Sequence, residues 1–99
     1  MLRRAPPSDV RLLASLASGG TGSLSAFYDR YQARVYGAAL AICRDEAVAA
    51  EASLQTFIWV HAQAARLSRC RPEVIGQAIE LQAVTFGRRC SAMVPRDPA

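Results

Sequence analysis

The sequence predicts an all-α fold, a compact four-helix bundle, and three observations support it. Alanine supplies 19 of the 99 residues, and alanine has the highest intrinsic helix propensity. β-Branched residues are sparse and never alternate with polar residues over a useful length, as they would in a half-buried strand. Apolar residues instead recur at every third or fourth position over long segments, which is typical of amphipathic helices.

The first predicted helix follows a flexible basic arm, residues 1–7. Ser8 or Asp9 can cap it, because both side chains accept hydrogen bonds from the free N–H groups of a first turn. The run SGGTGS at residues 18–23 then ends the helix. Its apolar residues are Val10, Leu12, Leu13 and Leu16.

The second predicted helix covers residues 23–44 and includes the stretch FYDRYQARVYGAALAICRD. One stripe at helical spacing predicts its buried face, and a second stripe widens that face. We expect Asp29, Arg30 and Arg34 to form the solvated or partner-facing edge. The first stripe is Leu24, Phe27, Tyr28, Tyr31, Val35, Ala39 and Ile42, and the second is Tyr36, Leu40 and Cys43.

Asp45 and Glu46 predict the start of a third helix. Asp45 suits the N-cap, and Glu46 is a favourable acid in the first turn. This helix is predicted to run to about Ser68. Two of its faces are apolar. Trp59 on the second face is either an exposed anchor for a partner or a core residue covered by another helix. The first face is Ala47, Ala50, Leu54, Phe57, Ile58, His61 and Ala65, and the second is Val48, Ala52, Gln55 and Trp59, with Glu51 at its margin.

Pro72 predicts the first turn of a fourth helix, because the fixed φ of proline suits that position and the residue before it leaves helical geometry. This helix ends near Arg89. Its buried stripe is Ile75, Ile79, Ala83 and Phe86. The helical domain is therefore expected over residues 8–90, with residues 91–99 as a tail or a truncated interdomain linker.

Composition argues against several functional classes. All 12 basic residues are Arg, and the formal net charge is +4. An acidic segment at residues 45–68 lies between basic flanks, which suggests two different partner surfaces. No nucleophile–base–orienter set is present, so we expect no enzyme and no small-molecule substrate.

Cysteine and hydropathy patterns complete these expectations. Cys43, Cys70 and Cys90 are an odd number of thiols without a CxxC pair, and His61 is the sole histidine, so we expect buried thiols in a reducing cytosol and no metal or other cofactor. No apolar run approaches the roughly 20 residues that span a bilayer. We expect a soluble cytoplasmic protein with no membrane partner.

Residues Leu12 to about Val60 show a family likeness. The segments YDRYQARVYG (28–37) and RDEA (44–47) carry it, within a stretch that aligns without a gap. This half of the chain resembles region 2 of sigma-70 family transcription factors, in the extracytoplasmic-function branch. The resemblance implies the helical bundle of region 2. Its third helix would bind the clamp helices of the RNA polymerase β′ subunit, and its last helix and the preceding loop would bind the −10 promoter element as single-stranded DNA.

The resemblance also implies site residues. The polar positions that face polymerase in the family correspond here to Ala50, Glu51, Leu54 and Gln55. The residues expected to bind polymerase are Val48, Glu51, Ala52, Gln55 and Trp59, and those expected to bind DNA are Arg66, Arg69, Arg71, Arg88 and Arg89. The last helix lacks the aromatic set of the family, so its arginines would supply backbone affinity with little sequence information.

Two functions follow as hypotheses. In the first, the chain binds core RNA polymerase and assists promoter opening. In the second, it is a sigma-like protein–protein interaction module, an anti-sigma decoy or an accessory regulator, without promoter recognition. The −35-reading domain of such sigma factors is not in this sequence, so the chain is either truncated or a single-domain relative.

Overall fold

The computed structural model describes residues 7–94, with only the backbone described at Thr21. The described part of the chain is helical without strands, which confirms the all-α class. It has five helices where four were predicted. The helices are α1 (Asp9–Ala17), α2 (Thr21–Cys43), α3 (Glu46–Ala62), α4 (Ala64–Leu67) and α5 (Pro72–Met93). Residues 1–6 of the expected arm and residues 95–99 of the expected tail lie outside the described residues.

The extra helix arises because the predicted third helix divides at Gln63. The backbone of Gln63 leaves helical geometry, with φ −102° and ψ 10°, and a single turn, α4, follows it. This change of direction lets Ala64 and Leu67 become buried in the main core. The segment has helical propensity throughout, and its break coincides with the burial of these two apolar side chains.

Local signals determine where most helices begin. Ser8 Oγ accepts a hydrogen bond from the Arg11 N–H at 3.2 Å, and Asp45 Oδ1 accepts one from the Val48 N–H at 3.0 Å. Pro72 opens α5, as predicted. Between α2 and α3, Arg44 adopts a left-handed conformation with φ 55°, which lets the chain reverse within two residues. The α2–α3 pair is therefore a tight antiparallel hairpin.

Helix α5 covers one side of this hairpin, and α1 and α4 pack across its end. Contacts of Arg34 with Glu80 and of Ala39 with Gly87 show that α5 runs parallel to α2. The largest fully buried side chains are Leu13, Phe27, Val35, Thr56, Val60, Ile75 and Ile79. None of the described helices combines the length and the apolar character needed to cross a bilayer.

The first apolar face of α3 does not form the core. Of its members only Phe57 is buried, whereas Leu54 and Ile58 are 55% and 60% exposed. The buried face is Ala49, Ala52, Thr56 and Val60, because α5 packs on the side of the helix that carries Ala52. In α2, Phe27, Tyr31, Val35 and Ala39 are buried as predicted, but Leu24, Tyr28 and Ile42 are exposed.

Candidate functional site

A groove of about 740 Å³ lies between α2 and α3, on the side of the hairpin opposite α5. We call it the α2–α3 groove. Its apolar walls come from Leu24, Tyr28 and Tyr36 of α2 and from Ala50, Leu54, Phe57 and Ile58 of α3, and its polar residues are Ser25, Gln32, Ser53 and His61.

Large apolar side chains are exposed along this groove. Leu54 and Ile58 are one helical turn apart on α3, and Tyr28 on the facing wall is 42% exposed. The Tyr28 ring tilts against Phe57, with 4.8 Å between the ring centroids. Contiguous exposed apolar surface on a small protein marks an interaction site more often than chance.

The polar part of the groove carries no Asp, Glu or Arg among its described lining residues. The Ser53 hydroxyl is buried and has no hydrogen-bond partner among the described residues. The groove therefore favours an apolar occupant, with little electrostatic contribution to binding. This chemistry matches an amphipathic helix, which buries one apolar stripe in such a groove.

The residues expected to bind polymerase lie mostly elsewhere. Ala52 is fully buried, so it is not available to a partner in this fold. Val48 and Trp59 are half-buried and pack against the core clusters, so the face that carries Trp59 is only partly covered. Glu51 is exposed, and it accepts a hydrogen bond from Gln55 Nε2 at 3.1 Å. Only Glu51 and Gln55 of this set remain polar groups at the protein surface.

The five arginines expected to bind DNA are all exposed, but they form two groups. Arg66, Arg69 and Arg71 lie on α4 and in the loop before α5, while Arg88 and Arg89 lie near the far end of α5. Arg71 and Arg88 are 17 positions apart, which corresponds to about 25 Å of helix. The arginines therefore do not form one continuous basic surface.

Trp59 and Arg66 come together, which the sequence did not predict. They line a shallow pocket of about 310 Å³ with Gln63, Leu67 and Cys70. The break between α3 and α4 at Gln63 produces this arrangement, and the helical periodicity of a continuous third helix could not reveal it. An aromatic ring beside a guanidinium is a combination that stacks unpaired bases.

Polar contacts tie α2 to the rest of the bundle at the opposite side from the groove. Asp9 accepts hydrogen bonds from Arg30 Nη1, at 2.8 Å, and from the Tyr31 hydroxyl. Burial, and then the hydrogen bond to Asp9, raise the pKa of Tyr31 to about 12. Arg34 donates to Glu80 of α5, and this hydrogen bond raises the pKa of the guanidinium. These contacts orient α2 so that Tyr28 is turned toward the groove.

Within the described residues, no three His, Cys, Asp or Glu side chains are grouped to hold a metal ion. The groove residues Leu54 and Ile58 were visible in the sequence as part of an apolar face, but the sequence did not show that this face stays open. A comparison of the chain with protein-family models, curated proteins and solved structures finds no match.

Proposed function

We propose that this chain is a sigma-factor-like transcription protein that binds core RNA polymerase, with the α2–α3 groove receiving a clamp helix of the β′ subunit. The observation that carries the proposal is that two groove residues occupy positions where the family contacts polymerase. Ala50 and Leu54 line the groove, and they also stand where the resemblance assigns polymerase contacts. Core polymerase is a cytoplasmic assembly, so the proposal keeps the expected localisation and needs no enzymatic activity.

The chemistry of the groove indicates how this contact would differ from the polar one implied by the family. Leu54 replaces a family Gln, and Ala50 replaces an acid, so binding here depends on apolar burial. A helix with an apolar stripe would cover Leu54, Ile58 and Tyr28. Salt would then weaken the complex only slightly, because screening acts on charges and not on apolar burial.

Glu51 supplies the polar edge of this surface. It lies seven residues, or about two helical turns, before Ile58, so the two side chains share one side of α3. Interfaces commonly surround an apolar centre with a polar, solvent-accessible rim. In this arrangement Glu51 and Gln55 keep a role at the edge of the contact, and Val48, Ala52 and Trp59 support α3 from behind.

Binding of the purified protein to core RNA polymerase tests the proposal. Leu54→Glu places a charge in the groove and is expected to weaken binding at least tenfold, as expected for loss of an interface centre. Leu81→Glu is the matched control, because Leu81 is 67% exposed on α5, away from the groove. The control should bind within about twofold of the parent chain, since its substitution lies outside the contact.

Two results would overturn the proposal. One is the absence of any association between the parent chain and core polymerase at low salt. The other is equal weakening by Leu54→Glu and Leu81→Glu, with both variants folded by circular dichroism, because binding would then not use the groove.

The second candidate function is a sigma-like protein–protein interaction module without promoter recognition, such as a decoy for an anti-sigma factor. The separation of the two arginine groups favours it, because a single strand would meet only Arg66, Arg69 and Arg71 beside Trp59. This candidate uses the same groove for a different helical partner.

Single-stranded DNA binding separates the two candidates. Three phosphate contacts predict a log–log salt slope of about −2 for a single strand. If the chain assists promoter opening, an oligonucleotide of −10 sequence should bind with this slope, and Trp59→Ala should weaken it. Absence of measurable DNA binding at low salt would leave the interaction module as the function.

A further inference from the structure

Two of the three cysteines lie at the same end of the contact between α2 and α5. Arg34 faces Glu80 and Ala39 faces Gly87, so facing residues in these parallel helices differ by 46 and 48 positions. Cys43 and Cys90 differ by 47 positions. The register of the two helices therefore brings these cysteines to the same level.

The helices also approach closely at this end. A Cβ built on Gly87 would lie 3.4 Å from the Ala39 carbonyl oxygen and 3.7 Å from the Ile42 Cβ. A glycine and an alanine at the contact allow the backbones to come nearer than larger side chains would. Short backbone separation is what a disulfide requires, since its Cα atoms lie roughly 4.4–6.8 Å apart.

Both thiols belong to one small cluster. Cys90 is buried with Ala39, Ala49 and Ala52, and Cys43 packs against the same cluster from the end of α2. Burial raises the pKa of the Cys90 thiol, and the nearby Glu51 and Cys43 raise it further. Both cysteines therefore lie in the same small cluster where α2 and α5 meet.

We propose that Cys43 and Cys90 form a reversible disulfide when the protein meets a peroxide, which fastens the end of α2 to α5. In the first step the Cys43 sulfur attacks hydrogen peroxide, gives the sulfenic acid and releases one water. In the second step the Cys90 sulfur attacks the Cys43 sulfenic sulfur, the S–S bond forms, and the hydroxyl leaves as a second water with the Cys90 proton. Two thiols and one peroxide thus give one disulfide and two waters.

The surroundings assign the order of the two steps. Cys43 is half-buried at the last residue of α2, where a small oxidant can reach it, and its thiol donates a hydrogen bond to the Asp45 carbonyl oxygen at 3.5 Å. Cys90 is buried, and its raised pKa keeps it protonated and a poor first nucleophile. Cys90 therefore acts as the resolving thiol.

The disulfide changes the chain by cross-linking. It closes a loop that contains α3, α4 and most of α5, so it restricts the unfolded chain strongly. We expect the oxidised protein to unfold roughly 10 °C or more above the reduced protein, and a thiol reductant to reverse the shift. The proposal does not depend on what occupies the α2–α3 groove, so its failure and that of the polymerase proposal are distinguishable.

The test uses Cys70→Ser in the full chain, which removes the exposed third thiol and any cross-linking between copies through it. Stoichiometric hydrogen peroxide should lower the intact mass by about 2 Da, the two hydrogens lost on disulfide formation. Trypsin should then release residues 35–44 joined to residues 90–96, a pair that separates on reduction.

Two further variants, each with Cys70→Ser, serve as controls. Cys43→Ser should resist peroxide, because the remaining Cys90 thiol is buried, and Cys90→Ser should stop at a sulfenic acid on Cys43 that dimedone traps. Oxidation of Cys70→Ser to sulfinic acid without a cross-link, a disulfide only between two copies, or an unchanged thiol content would each overturn the proposal.

Discussion

The α2–α3 hairpin has two apolar sides, and they differ in what covers them. The inner side, with Val35, Ala39, Ala52 and Val60, is fully buried against α5 and the rest of the core. The outer side, with Tyr28, Leu54 and Ile58, is open as the α2–α3 groove. The contrast teaches that apolar periodicity identifies faces able to be buried, and that packing selects which of them the chain itself covers.

The largest difference between the two sides is expected when the same charge is placed on each. Ala52→Glu buries a carboxylate without a partner, so we expect a loss of about 4 kcal/mol or more in the free energy of unfolding, enough to unfold a marginal domain. Leu54→Glu should change it by no more than about 0.5 kcal/mol, because the new carboxylate stays in water. Urea titration followed by circular dichroism measures both. Similar losses in the two variants would contradict the assignment of sides.

Truncation of one large side chain on each side of the hairpin should give a smaller difference in the free energy of unfolding. Trp59→Ala removes a half-buried ring that packs against the main core, and we expect a loss of about 2 kcal/mol. Ile58→Ala removes a side chain that is 60% exposed, and we expect a change within about 0.5 kcal/mol. Thermal unfolding of the two variants in parallel measures this difference. A larger loss for Ile58→Ala would mean that the outer side supports the fold.

The smallest expected effect compares the buried Tyr31 with the exposed Tyr28, three residues before it on α2. The pKa of Tyr31 is raised from 10.0 to about 12 in the folded protein, so the folded state favours the neutral phenol. Its stabilising contribution is complete below pH 10 and is lost as the pH rises toward 12. The measurement is urea unfolding at a series of pH values between 9 and 12.

Matched phenylalanine variants control this pH experiment. Tyr31→Phe should remove the part of the fall in unfolding free energy above pH 10 that comes from ionisation of Tyr31. Tyr28→Phe should preserve that fall, because Tyr28 lies on the outer side and has no contact with Asp9 among the described hydrogen bonds. A fall that disappears in Tyr28→Phe and persists in Tyr31→Phe would contradict the assignment.

The sequence predicted the all-α class and the starts of α1, α3 and α5 correctly, because these depend on neighbouring residues, whereas α3 ends before the predicted Ser68 and α5 continues past the predicted Arg89. Asp45 caps α3, Ser8 caps α1 and Pro72 opens α5, each through a contact within one helical turn or a fixed backbone angle. Of the predicted stripe of α5, Ile75, Ile79 and Ala83 are fully buried and Phe86 is half-buried. The likeness to sigma region 2 stays a proposal, because it rests on the residues of the first half of the chain.

The candidate site could be predicted only in part. Leu54 and Ile58 were recognised as an apolar face, but Ala49, Ala52, Val60 and Trp59 make the other side of α3 equally able to be buried. When a helix is apolar nearly all around, its periodicity does not show which side will be buried. The break at Gln63, which brings Trp59 beside Arg66, is likewise invisible in a segment with helical propensity throughout.

The all-α class, the caps of α1 and α3, the proline start of α5 and the amount of apolar surface follow from the sequence, because each depends on local chemistry. Tertiary structure alone decided which side of α3 meets α5, which side remains open as a groove, and that Cys43 reaches the level of Cys90. The physical reason is that these choices depend on the summed packing of distant segments. The close contact of Gly87 with Ala39 sets that packing between residues 48 positions apart in the chain.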